Sequence, residues 1–490
     1  MGSSRPLRWY DAISINIYYT GLTTLSQTML LIIPLLVQQF VGETNQGAAV
    51  GSIRLWSLMV ALLVQSLMGM LSDRNVSPWG RRRPFILTGT IFNLAILGLI
   101  GFTAGMDGAQ GYWSLFCLVI LYMIAANTAH GAVQGLIPDL VPANQRGLYS
   151  GVKALLEVPI PLILVSFTIG RLISHGNLWG GLLVCMSVLL FTMLVSMFVP
   201  EKPLQAAPGA LDWRPFLRLV AMTAVFTLII LGAGQAIRWL GMLVQDGGRL
   251  SEMALLWAVG LAAMLAAIAA GVFISVRIST GARTPQNTAF TWWVVNRLAF
   301  LVGSTNIATF AIFFLQGRLG LVRAEAAGPA TRLMLVVGVF ILLLALPAGW
   351  LADRVGRKLL VALSGLTAAL GTLVIIAVPN LNIIYLGGIL VGAATGLFYT
   401  ANWALGTDLT PADQAGRYLG ISNLAGAGAG AVGAYIGGPI ADYFTVHAPD
   451  TPGLGYVVLF AIYGALFLLS VVALTRIRIP EPHTPGPAVG

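Results

Sequence analysis

Fourteen long apolar segments, separated by short polar loops, constrain this chain more than any other feature of its sequence. Each is long enough to cross a bilayer, which takes about 20 mostly apolar residues in helical form. Helices are required because a lone strand leaves its backbone polar groups unsatisfied in hydrocarbon. The predicted spans 1 to 14 cover residues 12–40, 47–72, 84–105, 112–138, 148–174, 178–199, 216–243, 253–277, 288–316, 332–352, 359–378, 383–406, 417–444 and 455–476.

The composition excludes a soluble or disordered protein. Only 9% of the 490 residues are charged and 57% are hydrophobic, whereas a soluble domain has about 25% charged and about 45–50% apolar residues. Too few polar residues are present to cover a soluble globule of this size. We therefore predict an all-α polytopic membrane protein that is embedded in the lipid bilayer.

The positions of the basic residues predict the orientation, because cytoplasmic loops carry an excess of Lys and Arg. With the N-terminus inside, 18 Lys and Arg residues fall on the cytoplasmic side, 6 on the other side and 3 within spans. We expect a multi-pass protein of the cell membrane with both termini cytoplasmic. The net charge of +10 is then explained by the basic residues of the cytoplasmic loops. It does not indicate nucleic-acid binding, and we expect no nucleic-acid partner.

Two motifs recur in the second half of the chain. Residues 69–74 read Gly-x-x-x-Asp-Arg and recur as 349–354, 280 positions later, and in both places Gly-Arg and a further basic residue follow. Residues 139–151 recur as 408–420, with seven identities besides the aligned Asp. An ancestral duplication explains both repeats, since it pairs spans 1–6 with spans 9–14.

The duplication predicts three domains. Spans 7 and 8 have no counterpart and form an insertion between the two halves. The predicted units are an N-terminal six-helix bundle at 1–199, an inserted two-helix linker at 200–287 and a C-terminal six-helix bundle at 288–490.

The repeated Gly-x-x-x-Asp-Arg and Gly-Arg-Arg/Lys motifs resemble those of the major facilitator superfamily. The resemblance covers about 1–200 and 288–480. Residues 72–74 and 80–86 are more narrowly similar to the sucrose-transporter and glycoside-pentoside-hexuronide:cation symporter branch, although sucrose transporters have an Arg at the position of Gln134. The resemblance implies the major facilitator fold, here with two inserted central helices, and transport by alternating access.

The repeated motifs are predicted to gate the cytoplasmic side. A carboxylate at a helix end accepts hydrogen bonds from guanidinium groups and helix N-terminal amides, and the resemblance implies a clamp that closes the inner side. A positive-inside anchor, or a helix-stop turn after spans 4 and 12, is the structural alternative. The predicted gating residues are Gly69, Asp73, Arg74, Gly80, Arg81, Arg82, Asp139, Arg146, Gly349, Asp353, Arg354, Gly356, Arg357, Asp408 and Arg417.

Ionisable residues within spans are costly and mark functional positions. Lys153 and Glu157 in span 5 are four residues apart, so they share one helix face and can pair. We predict that Glu157 couples transport to protons, and the alternative is a structural ion pair. Arg297 in span 9 is expected to bind a solute or to pair with an acid. Arg54, early in span 2, is expected to be an anchor or a charge at the pore rim.

Uncharged polar residues form stripes at helical spacing in spans 1, 4 and 12. The resemblance implies that these spans line a central cavity, and the alternative is polar contact between helices. The predicted cavity residues are Asn16, Thr20, Thr23, Gln27, Asn127, His130, Gln134, Arg297, Tyr399, Asn402 and Trp403.

The sequence as a whole predicts a secondary active transporter. It would move a small polar solute, a sugar or glycoside, together with protons or Na+. The alternatives are proton-driven efflux of lipophilic compounds and a non-transporting assembly factor. No nucleophile–base set, phosphate loop or cysteine cluster is found in the sequence, and Cys117 and Cys185 lie in apolar runs. We therefore expect no enzyme activity, no cofactor and no metal. We also expect the protein to be a monomer.

Overall fold

A computed structural model of the chain places a helix on every predicted span. The described residues contain fourteen helices that are long and apolar enough to cross a membrane, which confirms the predicted spans. The structure describes residues 8–142, 145–201, 203–204, 209–243, 249–280, 285–323, 325–409 and 415–477, without the side chains of 242–243, 249–250, 252–253, 280, 285–287 and 415–420.

The helices extend up to about five residues beyond the predicted apolar limits. Span 10, for example, begins at Ala327 instead of 332, because an apolar run marks the bilayer core and helical hydrogen bonding continues past it. The spans in order are Trp9–Val41, Gln46–Ser72, Arg83–Thr103, Gly108–Val133 (with a short helix Leu136–Leu140), Arg146–Ser174, Leu178–Ser196, Arg214–Leu243, Arg249–Thr280, Pro285–Leu319, Ala327–Val355, Arg357–Ala377, Leu381–Asp408, Ala415–His447 and Leu454–Leu474.

Span 5 is interrupted, which its apolar pattern does not indicate. A first helix, Arg146–Glu157, ends at Val158, and a second begins with Pro159. Proline has no N–H to donate to the preceding turn, so it breaks the hydrogen-bond ladder at this point. A π-helical turn at Val165–Ile169 follows before the last helical turn. Glu157 therefore lies at the end of a helix segment, next to a bend.

The spans pack as two bundles with an added pair. Spans 1 to 4 and 6 contact one another, as do spans 9 to 12 and 14, and span 13 contacts spans 9 and 14. Spans 7 and 8 pack on each other and lie against span 13. The inserted pair thus extends the second bundle, while the exact domain boundaries at 199/200 and 287/288 stay predictions.

The two bundles meet through paired helices near one membrane face. We call the face that carries the loop of residues 73–82 the motif face, and the face that carries residues 42–45 the opposite face. Span 2 packs on span 13, with Gly47 and Gly51 against Gly438 and Ala434. A Cβ at Gly51 would lie closer to the Ala434 carbonyl oxygen than real Cβ contacts allow. The glycines therefore let the two backbones touch.

Spans 5 and 10 make the equivalent contact on the other side of the molecule. Ser166 Oγ donates a hydrogen bond of 2.8 Å to the Thr331 carbonyl oxygen. Gly170 packs against Thr331, and Gly338 packs against Leu162. These contacts involve only the part of span 5 that follows the bend, so both helix pairs join the bundles in the half toward the opposite face.

We expect Gly51→Leu to destabilise the protein by about 1–3 kcal/mol, because the added side chain overpacks the contact between spans 2 and 13. The measurement is the melting temperature of the purified protein in detergent. Gly98→Leu is the matched control, since a Cβ at Gly98 meets nothing within 4 Å. Equal melting temperatures for the two variants would contradict the close packing of these spans.

Candidate functional site

Arg82 is the centre of a charged cluster at the motif face of the first bundle. Its side chain is only 5% exposed and forms an ion pair with Asp73. It also contacts Asp139 Oδ2 through Nη2 at 2.9 Å and through Nε at 3.1 Å. Gly135 leaves room for the guanidinium group, which a Cβ at that position would overlap. The arginine thereby joins the ends of spans 2 and 4.

Arg357 forms the same cluster in the second bundle. Its Nη1 lies 2.5 Å from Asp408 Oδ1, and its Nη2 lies 3.7 Å from Asp353 Oδ1. The motif aligns Arg357 with Arg81, yet Arg82 is the residue that contacts both acids in the first bundle. The structural equivalence is therefore shifted by one residue relative to the sequence repeat.

A glutamate that the sequence analysis missed completes the first cluster. Glu201, after span 6, accepts hydrogen bonds from the backbone N–H groups of Arg82 at 2.7 Å and Arg83 at 3.2 Å, at the start of span 3. Burial raises the pKa of the Glu201 carboxyl above its ordinary value, and these two hydrogen bonds act in the opposite direction. The side-chain hydrogen bond to Asp139 raises the pKa of Arg81.

The other predicted gating residues make local contacts. Arg74 donates hydrogen bonds to the carbonyl oxygens of residues 209 and 210, before span 7. Arg146 donates to the carbonyl oxygens of residues 138 and 141. Arg354 lies over the ring of Trp350 at 4.0 Å, and the side chain of Arg417 lies outside the described residues.

Four predicted glycines complete the description of the motif face. Gly80 and Gly356 have φ of 113° and 91°, a conformation that favours glycine. Gly69 lies near the backbone of span 4 at Gly131, and Gly349 lies near Thr400. Among the described residues, the ion pairs at this face join helices within one bundle and not between bundles.

A cavity of about 770 Å³ lies between the two bundles. Spans 1, 2 and 4 form most of its wall, and Leu219, Thr309 and Asn423 contribute from spans 7, 9 and 13. The lining extends from Pro34, beneath the contacts of the opposite face, to Gly69 at the motif face. The cavity is therefore directed toward the motif face.

Several predicted residues lie on the wall of this cavity, namely Thr23, Asn127, His130, Gln134 and Glu157. Gln27 and Tyr399 line a neighbouring cavity of about 310 Å³, and Leu30 borders both cavities. The two cavities together place polar groups from spans 1, 4, 5 and 12 around one central space.

Asn16 and Thr20, which were predicted to line the cavity, are not among the lining residues of either cavity. Asn16 Nδ2 donates to the Tyr149 carbonyl oxygen at 3.1 Å, and Thr20 Oγ1 donates to that of Leu156 at 2.7 Å. Both side chains hold span 1 against span 5. Their spacing predicts the shared face correctly but does not reveal that span 5 covers it.

A chain of polar contacts connects Lys153 with four residues of the cavity wall, Glu157, Tyr19, His130 and Gln134. Lys153 Nζ lies 3.6 Å from Glu157 Oε2 and 4.1 Å from the centroid of the Tyr19 ring. The Tyr19 ring meets His130 edge-on at 6.2 Å, and His130 Nε2 lies 3.2 Å from Gln134 Nε2. Span 1 thereby connects the charged pair of span 5 with the polar stripe of span 4.

Arg297 lies in a buried network of the second bundle. Its Nη1 donates to Asn402 Oδ1 at 3.0 Å, and its guanidinium lies 5.4 Å from the ring centroid of Trp403. Asn402 Nδ2 also donates to Asn296 at 2.8 Å. No carboxylate of the described chain lies within 4 Å of Arg297. Asn402 is therefore occupied in contacts between spans 9 and 12.

Asp442 links the bundles at the opposite face and was missed by the sequence analysis. Its two carboxylate oxygens accept hydrogen bonds from the backbone N–H groups of Gly47 at 2.8 Å and Ala48 at 2.7 Å. These are free N–H groups at the first turn of span 2, where the helix dipole also favours an anion. The sequence does contain a signal for this residue, because Asp442 is a carboxylate inside the apolar segment predicted as span 13.

A second polar contact closes the same face. The side-chain amides of Gln38 in span 1 and Gln316 in span 9 exchange hydrogen bonds of 3.0 and 3.1 Å. Arg323 donates to the side chain of Gln39 at 3.1 Å. Together with Asp442, these residues hold the ends of four spans together above the cavity.

We expect Arg82→Lys to lower the melting temperature, because a single ammonium cannot reproduce the fork that contacts two carboxylates. The expected loss is about 1–3 kcal/mol. Arg83→Lys is the control, since the described contacts of the Arg83 side chain go to the backbone carbonyls of Trp79 and Val199. If Arg83→Lys is the more damaging change, the assignment of Arg82 as the centre of the cluster is wrong.

We expect Asp442→Ala to open the opposite face. Each hydrogen bond to a charged group contributes about 1.5–3 kcal/mol, so the loss of two shifts the equilibrium between the closed and open arrangements of this face by about a hundredfold or more. A cysteine placed at Thr309, in a background with Cys117 and Cys185 changed to Ser, should react faster with an impermeant thiol reagent from that face. Asp107→Ala, an exposed acid of the same face, should leave the rate unchanged; a similar increase there would contradict the specific role of Asp442.

Comparisons with known proteins agree with this architecture. The sequence model of the Major Facilitator Superfamily matches residues 293–490. Over its length, the chain resembles the nucleoside transporter NupG, with a TM-score of 0.64, 13% identity and coverage of 95% and 99% of the two chains. It also resembles a D-xylose-proton symporter, with a TM-score of 0.63, 16% identity and coverage of 95% and 97%. The predicted major facilitator fold is thus confirmed.

Curated relatives match shorter segments. The minor myo-inositol transporter IolF of Bacillus subtilis is 33% identical over 28% of this chain and 29% of its own length. The sucrose transport protein SUT1 of Oryza sativa subsp. japonica is 34% identical over 17% of this chain and 18% of its own length. The chain spans less than a third of each relative. The second bundle thus matches the sequence model of the Major Facilitator Superfamily, the chain has the fold of the solved transporters that it resembles, and its described residues contain fourteen helices able to cross a membrane.

Proposed function

We propose that this protein is a secondary active transporter that moves a sugar, a glycoside or a similar small polar solute by alternating access, coupled to protons or another cation. The observation that carries the proposal is the polar cavity between the bundles, with Glu157 of span 5 on its wall and Lys153 as the partner of Glu157. The names of the relatives, which include myo-inositol and sucrose transporters, support a polyhydroxylated solute. The likeness to a D-xylose-proton symporter supports proton coupling.

The cavity suits such a solute. Its lining supplies hydroxyl and amide groups from Thr23, Ser57, Gln65 and Asn127, which can donate to and accept from the hydroxyl groups of a solute. Tyr19 and Tyr122 supply ring surface. The cavity volume of about 770 Å³ falls within the usual range of small-molecule sites, about 300–1,000 Å³.

The proposed orientation places the motif face and both termini in the cytoplasm of a cell. The contacts between spans 2 and 13 and between spans 5 and 10 then close the extracellular side, so the arrangement corresponds to an inward-facing state. Access from outside requires these contacts to separate and the bundles to approach each other at the motif face. The Arg82 and Arg357 clusters keep each bundle rigid during this movement, and we propose that they also form the inner gate.

Glu157 is the proposed coupling group. As a carboxylate it attracts Lys153, and protonation from the side to which the cavity is open removes this attraction. The proton leaves from the other side after the bundles have moved, so that proton and solute cross together. The available driving force is about 2.3 kcal/mol per charge per 100 mV of membrane potential, plus about 1.4 kcal/mol per pH unit.

The first experiment is a proton-uptake assay in right-side-out membrane vesicles. External pH is recorded while sugars and glycosides are added one at a time. Alkalinisation with a member of the panel supports proton symport and identifies the solute class. No alkalinisation with folded protein, together with protection of cells against lipophilic toxins, would overturn the proposal in favour of efflux.

We expect Glu157→Gln to abolish solute accumulation against a gradient while exchange of internal for external solute persists, because a permanently neutral side chain carries no proton. Uptake and exchange of a labelled substrate in proteoliposomes measure the two activities. Glu325→Gln, in an exposed loop of the opposite face, is the control and should accumulate solute normally. Accumulation by Glu157→Gln at the parent level would exclude Glu157 as the coupling group.

A further inference from the structure

Arg54 lies deep in the wall of the central cavity, and not at its rim as its sequence position indicates. Span 2 begins at Gln46, so at 1.5 Å per residue Arg54 is about 12 Å along the helix from its first residue. It lines the cavity together with Tyr122, Ser57 and Leu58. Span 13 covers the other side of the guanidinium at Gly430. A charge in this position is no interfacial anchor.

The Arg54 guanidinium has no counter-ion within the described residues. No carboxylate there lies within 4 Å, and none of its nitrogens donates a hydrogen bond to another described residue. Its Nε is buried without any partner. Arg82, by contrast, is held by two acids, and Arg297 by an amide.

An unpaired buried cation is costly, and the cavity offers little to offset it. Apart from tyrosines, the other ionisable side chains on the lining are His130 and Glu157. Glu157 already has Lys153 as its partner at 3.6 Å. The cavity therefore holds one uncompensated positive charge, and a solute that enters can supply the missing negative charge.

The geometry of the group defines the solute further. A guanidinium presents paired N–H donors that match the two oxygens of a carboxylate. One uncompensated charge fits one carboxylate, whereas a phosphate monoester would bring nearly two negative charges. The hydroxyl and amide groups of Ser57, Gln65 and Asn127 on the same lining suit a polyol chain.

We propose that Arg54 binds the carboxylate of the transported solute, which is a polyhydroxylated monocarboxylate such as a sugar acid. The inference rests on the proposed function and narrows its substrate class from neutral sugars to acidic ones. The positive charge then has a partner only when the cavity is occupied, which makes Arg54 a specificity-determining residue.

The test compares matched acidic and neutral solutes on the purified full-length protein. The pairs are gluconate with sorbitol and glucuronate with glucose, and glucose 6-phosphate is the phosphate probe. Binding is measured by thermal stabilisation, since a ligand of the folded state raises the melting temperature, and transport by proton uptake in proteoliposomes. We expect the parent protein to prefer each monocarboxylate over its neutral partner and over the phosphate.

Substitutions at Arg54 link this preference to one side chain. We expect Arg54→Gln to weaken binding of the acid by about tenfold or more, and Arg54→Lys, which keeps the charge but loses the fork, to give an intermediate loss. Arg318→Gln is the matched control, because Arg318 also has a buried, unpartnered Nε and lies outside the cavity lining. It should retain the preference.

A readout without solute separates a binding role from a structural one. Since Arg54 has no counter-ion or hydrogen-bond acceptor to lose in the described part of the chain, Arg54→Gln should melt at or above the parent temperature, whereas replacing a structural arginine would lower the melting temperature. Equal transport of neutral and acidic solutes, unchanged by Arg54→Gln, would overturn this inference and leave the proposed function intact. No proton movement with any solute, acidic or neutral, would overturn the proposed function and this inference with it.

Discussion

The backbone contact between spans 2 and 13 is the constraint on which the rest of the arrangement depends. Glycines at Gly47, Gly51 and Gly438 bring two helices from different bundles within backbone distance, and Asp442 fixes them by accepting two N–H groups at the start of span 2. Hydrocarbon provides no hydrophobic force between helices, so close packing and hydrogen bonds must hold the bundles together. Because this contact lies at one face, the cavity is directed toward the other.

The polar and charged contacts also differ between the motif face and the opposite face. The described ion pairs at the motif face join helices within one bundle, around Arg82 and around Arg357, so each bundle is locked internally and stays separate from its partner. At the opposite face, the polar contacts of Asp442 and Gln316 cross from one bundle to the other. A rocking movement can therefore break one small set of contacts without unfolding either bundle, as the proposed alternating access requires.

The candidate site was predictable in part. Helical spacing correctly groups Asn127, His130 and Gln134 on one face of span 4, and all three line the cavity. The same spacing groups Asn16 and Thr20 with Thr23, but the sequence cannot show that the first two lie beneath span 5. Periodicity gives the face of a helix, whereas the helix that packs on that face is decided by the fold.

The sequence by itself determined the helices and their number, since the backbone in a bilayer must form its hydrogen bonds within each apolar segment. It also determined the duplication, because both halves retain their motifs. Only the tertiary structure decided which charges have partners: it gave Arg82 two acids, gave Asp442 the start of span 2 and left Arg54 without a counter-ion among the described residues. Pairing depends on distances between helices far apart in the chain, and these distances arise only when the bundles pack.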